Sequence, residues 1–191
     1  MRKELKKELS KKDKNKTNYN WAIKVLIIAF VISVLFSFVS ETAIPNVSLF
    51  LGIVITLLFV LIGILFDMVG VAVTASDEHV FHSMAANKVK GARLAVKFKK
   101  NADKVSSFCQ DVIGDVCGIV SGSTGAVISL KIMDLLNTNS MFVTLIVMGI
   151  ISALTIGGKA FEKAIAINKS NEILYKFSRI ISYFVRGWLD E

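Results

Sequence analysis

The apolar positions of this chain fall into long blocks rather than alternating stripes. WAIKVLIIAFVISVLFSFV fills Trp21–Val39. VSLFLGIVITLLFVLIGILF fills Val47–Phe66 and continues past Asp67 to Ala75. MFVTLIVMGIISALTIGG fills Met141–Gly158. A hydrocarbon core of about 30 Å is crossed by about 20 helical residues, so the first two blocks span unaided and the third spans with a few flanking residues. A fourth stretch, about Val105 to Leu130, also reads as a span, although it carries Asp111, Asp115, Gln110 and several glycines. The pattern predicts an all-α integral membrane protein with four spans. The N-terminal block resembles a signal peptide in its basic flank, but it is long and lacks a small-residue cleavage motif. It is therefore expected to stay as a helix.

Two further stretches are amphipathic. DEHVFHSMAANKVKGARLAVKFKKNADK has helical periodicity broken near Gly91, which predicts one or two interfacial helices within 78–104. In the segment 164–191, Ile173, Leu174, Phe177, Ile180, Ile181, Phe184, Val185 and Trp188 oppose Lys176, Arg179 and Arg186. This predicts a C-terminal amphipathic helix on the membrane or against the preceding helices. No soluble catalytic or regulatory domain is expected after it.

Composition agrees with the blocks: of 191 residues 53% are hydrophobic, and the mean hydropathy is +0.60. Charge adds orientation. Residues 1–20, Ser76–Lys104 and Lys159 to the end hold eight, seven and six basic residues against three, three and four acidic ones. The loops SETAIPN and KIMDLLNTNS are short and not basic. The positive-inside rule therefore puts the three basic segments and both termini in the cytoplasm, with Pro45 in an outer turn of a cell-membrane protein. The net charge of +8 is explained by topology and by anionic lipid at the juxtamembrane lysines, and no zinc-finger, RNP or helix-turn-helix pattern points to nucleic acid. The lysine-rich head, 1–20, reads as a solvated tail.

The candidate chemistry lies in the membrane carboxylates. Asp67 interrupts the second block, and Asp111 and Asp115 are spaced to share one face of a regular helix. A carboxylate at bilayer depth is costly and faces a partner, a cavity or an ion. Oxygens of Asp67, Thr74, Asp111, Asp115 and Gln110 form a candidate set for a hard cation such as Mg²⁺, which takes six oxygens and retains water. The alternative is structural pairing or protonation, with Lys24 and Lys159 as candidate partners of Asp67. Gly114, Gly118 and Gly122 recur every four residues, a small-residue spacing that permits close helix packing in lipid. Cys109 and Cys117 are too far apart for a CxxC pair and read as packing residues. His79 and His82 lack a third ligand for zinc. No triad, phosphate loop or cofactor motif is present, which predicts no enzyme and no cofactor beyond a bound or transported ion.

Four fragments carry a family resemblance: FDMVG at Phe66–Gly70, GARLA at Gly91–Ala95, CQDVIGDVCGIVSGSTG at Cys109–Gly125, and IGGKAFEKAIA at Ile156–Ala166. In order and spacing they resemble the transmembrane domain of the CorC/CorB and cyclin M (CNNM) magnesium transporters over roughly Val60 to Phe184. The resemblance implies a homodimer in which each chain gives a three-span CNNM-like core, 47–163, with a juxtamembrane helical belt, and Trp21–Val39 is then an extra N-terminal span. It implies Mg²⁺ transport, with sodium exchange as one mode. The chain departs from the family where its acids are expected: those positions are Gly70 and Lys159. A lysine takes the place of a cation but cannot ligate one. Asp67, Asp111 and Asp115 therefore either rebuild an ion site or act as counter-charges to Lys159 in a non-transporting scaffold or regulatory paralogue. The family's CBS-pair domain is not expected here.

Overall fold

The structure is a computed structural model that describes residues 23–38, 42, 46–138 and 140–184. The tail 1–20, the outer turn at Pro45 and the last residues with Val185, Arg186 and Trp188 lie outside the described residues. All regular structure among the described residues is helical. The chain runs through α1 (Ile23–Phe38), α2 (Leu49–Ala75), α3 (Glu78–Ala86), α4 (Ala92–Lys100) and α5 (Ala102–Ser107). A π-helical segment, Phe108–Gly114, then leads into α6 (Asp115–Leu135), followed by α7 (Met141–Asn168) and α8 (Ser170–Phe184).

Three helical runs are long and apolar enough to cross a bilayer: Leu49–Ala75, the continuous run Ala102–Leu135, and Met141–Asn168. They make this a membrane protein by length and composition. α1 is apolar but shorter in its described extent, about 24 Å at 1.5 Å per residue. It leans on α2 through an edge-to-face contact of Phe36 with Phe59, ring centres 6.0 Å apart.

α2 is the centre of the molecule, packing on both α6 and α7, which also pack on each other. Close approach is set by small residues. A Cβ added at Gly63 would come within 3.1 Å of Cys117 Cβ, and one at Gly70 would meet Gln110 Cγ at 2.5 Å. The glycines of the third run divide. Gly114, at the end of the π segment, and Gly125 of α6 face neighbouring helices, whereas at Gly118 and Gly122 no atom of the described residues lies within 4 Å of where a Cβ would stand. Hydroxyls buried in the bundle are satisfied without water: Thr56, Ser121, Thr124 and Ser129 each donate to a carbonyl three or four residues back in their own helix.

At one end of the bundle the short helices form a collar. α3 packs on α4, and α8 packs on α4 and on α2. Phe81, Leu174, Ala95 and Val73 are fully buried where these helices meet. Phe177 lies against Phe66 of α2 and Phe98 of α4, with ring centres 6.2 and 5.9 Å away. Lys99 donates to the carbonyls of Val73 and Thr74 at 3.1 and 2.8 Å, satisfying the last turn of α2 with a positive charge. Asp77 caps α3 by accepting from His79 N–H, and its own N–H donates to Asn171 of α8 at 2.8 Å. On the outer side of α8, the Lys176 ammonium 2.6 Å from Glu172 holds that carboxyl below its usual range.

Three boundaries differ from the sequence pattern. α7 runs on past Gly158 to Asn168 because the polar residues after Gly158 stay in helical register. The third span starts from Ala102, so the basic segment feeds directly into it. The last described helix, expected from 164, starts at Ser170, after a break at Lys169. The expected break near Gly91 is present: Gly91 has φ +84°, and a Cβ there would sit 2.9 Å from the Arg179 backbone. Gly91→Ala is therefore expected to destabilise by about 1–3 kcal/mol. Gly149→Ala, in open helical surroundings, is expected to be neutral or stabilising. Thermal unfolding of the two purified variants in detergent checks the order.

Candidate functional site

Charge gathers in the bundle at one level. At about 1.5 Å per residue, Asp67, Lys159 and Asp115 each stand about 27–30 Å along their helices from the Leu49, Met141 and Leu135 ends. Those three ends lie together: Lys131 near the end of α6 donates to the Val47 carbonyl just before α2, and Thr144 of α7 donates to Ser129 of α6. Helices of similar length with aligned ends must bring residues at similar heights side by side. The level they share is close to the collar, near one edge of a 30 Å core rather than its centre.

The Lys159 ammonium stands between two carboxylates, 3.9 Å from Asp67 Oδ1 and 3.7 Å from Asp115 Oδ1. These are ion pairs at longer than hydrogen-bond distance. Asp67 is the more enclosed partner, with its side chain 16% exposed against 66% for Asp115. The ammonium also lies over Gly114, where a Cβ would come within 3.6 Å of Nζ. A larger residue at 114 would crowd the approach of Lys159 to α6. Each of the three core spans thus supplies one charged side chain.

Glu162 lies one turn further along α7 from Lys159. It is 4% exposed, and no donor among the described residues reaches either carboxyl oxygen. Asp67, Lys159 and Lys163 are its electrostatic neighbours. The sequence pattern missed it, because Glu162 follows the last apolar block and was counted with the basic segment after it. The available signal was its i,i+3 spacing from Lys159 on a helix that had not yet ended.

The other expected site residues lie elsewhere. Asp111 is exposed on the π segment and makes no ion pair among the described residues. The Gln110 amide oxygen accepts from the Ser106 hydroxyl at 3.2 Å, and its side chain crosses Gly70 of α2. Thr74 is exposed about two turns beyond Asp67, its hydroxyl donating to the Val71 carbonyl at 2.8 Å. Lys24 is exposed on α1, and Asp67 pairs with Lys159 instead. His82 pairs with Glu78 on the surface of α3 at 3.0 Å. Cys109 and Cys117 are free and buried. Among the described residues no three His, Cys, Asp or Glu side chains are gathered as a metal-binding group.

Chemically, the arrangement is a carboxylate cluster already holding one tethered cation. No family model, curated protein or solved structure matches the chain. Removal of one partner from an enclosed ion pair leaves the other charge uncompensated. Lys159→Met is expected to destabilise by about 1–2 kcal/mol, below the fully buried case because water reaches Asp115 and part of Lys159. Asp67→Asn is expected to lower the melting temperature more than Asp115→Asn, with Asp111→Asn near wild type. Thermal unfolding in detergent checks the order, and the Asp67–Lys159 double-mutant cycle reads the coupling.

Proposed function

We propose that this chain is a cation-binding transporter of a cell membrane, with a CNNM-like three-span core, and that Lys159 is the internal competitor of the transported ion. The observation that carries the reading is the meeting of Asp67, Lys159 and Asp115 from three different spans at one level. A lysine held by two carboxylates marks where a cation is favourable. The ammonium is tethered and therefore displaceable, and a divalent ion such as Mg²⁺ brings twice its charge. Displacement of Lys159 frees both carboxylates as oxygen ligands, and water or main-chain carbonyls complete a six-oxygen shell. Thr74, Gln110 and Asp111 would join only after helix movement, since none of them adjoins the cluster. Movement of core helices against one another would open the site to alternate sides, in exchange with sodium as one mode.

The remainder of the reading follows the charge pattern and the packing. α1 is an extra N-terminal span, both termini face the cytoplasm, and the basic collar lies against anionic lipid. The Gly118–Gly122 face of α6, open in the single chain, supports a homodimer in which it meets a second copy.

A second reading is favoured by the same lysine. If Lys159 stays in place, the cluster is neutralised from within, and the chain is a non-transporting scaffold or regulatory subunit. Flux in proteoliposomes separates the two. Transport predicts Mg²⁺ uptake by wild-type protein, reported by a trapped dye, falling at least tenfold in Asp67→Asn/Asp115→Asn. It also predicts that Lys159→Met changes the Mg²⁺ concentration at half-maximal rate. Flux no greater than that of empty vesicles, for wild type and Lys159→Met alike, would overturn transport and leave the scaffold.

A further inference from the structure

α4 keeps its apolar side inside the protein. Ala92, Leu94, Ala95 and Val96 are buried, and Ala95 and Val96 share a core with Phe81 of α3 and Leu174 of α8. An interfacial amphipathic helix sinks its apolar face about 5–10 Å into the boundary between headgroups and acyl chains. In α4 that face is already covered by neighbouring helices, so this helix has little apolar surface left to insert.

Its other side is basic. Arg93, Lys97 and Lys100 are exposed and, at about 100° per residue, fall within about 60° of arc. Exposed Lys90 precedes them in the chain. α8 adds exposed Arg179, whose Cα would stand 2.9 Å from a Cβ at Gly91, beside the first turn of α4. The acids of the collar are engaged elsewhere: Glu78 with His82, Glu172 with Lys176, and Asp77 at the start of α3. Among the described residues no acid, exposed Asp103 of α5 included, forms an ion pair with any of these five cations. Neighbouring like charges repel one another and favour an anion.

The face stands at the level of lipid phosphates. α2 has 27 residues, about 40 Å of helix, which matches about 40–45 Å for a bilayer with both headgroup layers. Lys99, the residue before Lys100, donates to the carbonyls of Val73 and Thr74 in the last turn of α2. α4 is thereby tied to the end of α2 that emerges among the headgroups. A soluble acidic protein would have to reach into that layer, whereas the phosphates of the bilayer are already there.

We propose that the Arg93–Lys97–Lys100 face, extended by Lys90 and Arg179, docks the phosphate headgroups of anionic phospholipid by charge alone, with no insertion of α4. The proposal deepens the contact of the basic collar with anionic lipid and rests on that reading. It does not depend on transport.

The test is electron paramagnetic resonance of the full chain in phosphatidylcholine–phosphatidylglycerol vesicles carrying a trace of spin-labelled phosphatidylglycerol or phosphatidylcholine. The motionally restricted fraction of each label gives their relative association with the protein. Wild type is expected to prefer phosphatidylglycerol at least about twofold at low salt, since each basic residue near an anionic surface adds attraction. The preference is expected to vanish in 1 M salt, where the Debye length is about 3 Å. Arg93→Gln/Lys97→Gln/Lys100→Gln is expected to lose more than half of it. Lys24→Gln/Lys169→Gln/Lys176→Gln removes the same charge from exposed positions elsewhere and is expected to keep it. If the first triple variant does not fold, Lys97→Gln/Lys100→Gln takes its place, with a smaller loss in the same direction. A wild type without preference overturns the proposal and leaves the face to a soluble acidic partner. Equal losses in the two triple variants overturn it in favour of diffuse attraction. A preference that survives 1 M salt overturns docking by charge alone and marks insertion. Mg²⁺ flux without lipid preference rejects this proposal and keeps transport, whereas lipid preference without flux rejects transport and keeps the face.

Discussion

A lysine ammonium in the bundle, held by carboxylates from the two neighbouring spans, is the interaction that organises the rest of the site. An ammonium in a poorly solvated place needs counter-charge, and counter-charge in a membrane is scarce. Asp67 of α2 and Asp115 of α6 meet that need from two different helices, which links α7 to both other long helical runs at one height. The small residues of the core belong to the same arrangement. Gly114 leaves room for Lys159 to lie over α6, and Gly63 lets α2 and α6 approach closely enough for the charges on each to reach a shared partner. Packing alone would hold three apolar helices together in several rotations. The charged triplet selects the rotation in which polar groups face one another and not lipid.

Much of this was legible in the sequence, and the failures share a cause. The apolar blocks identified the spans of α2 and α7, because length and hydropathy depend on composition and not on detailed geometry. The stop near Gly91 was legible because a positive φ favours glycine. The ends of α7 and of the third span were not, since a helix continues through polar residues once it leaves the bilayer core, and block length records only the core. Lys159 and Glu162 follow the last apolar block yet lie within α7. The spacing of Asp111 and Asp115 did not reveal that, among the described residues, Asp115 and not Asp111 comes within ion-pair reach of Lys159, and nothing in FCQDVIG announces an i→i+5 turn.

The polarity of the third span is also clearer in three dimensions. Serines and threonines in a membrane helix are able to bond across to neighbouring helices. Ser121, Thr124 and Ser129 are instead satisfied by their own helix backbone. Their small size matters more than their oxygens, as with the glycines around them. The chemistry is concentrated in four charged side chains, and the polar residues nearby make the helix narrow.

The π segment has a consequence for how the two ends of the molecule are geared together. A wide turn accommodates about one residue more than an α-helical turn, so it shifts the angular phase of all that precedes it by about 100° relative to all that follows. α5 and the collar beyond it are therefore set on the bundle at an angle that an uninterrupted α-helix of the same sequence would not give. Because the segment lies immediately before Asp115, the last residue of that shift abuts the first charge of the cluster. The phase of the collar and the bearing of one ion-pair partner are written into the same seven residues.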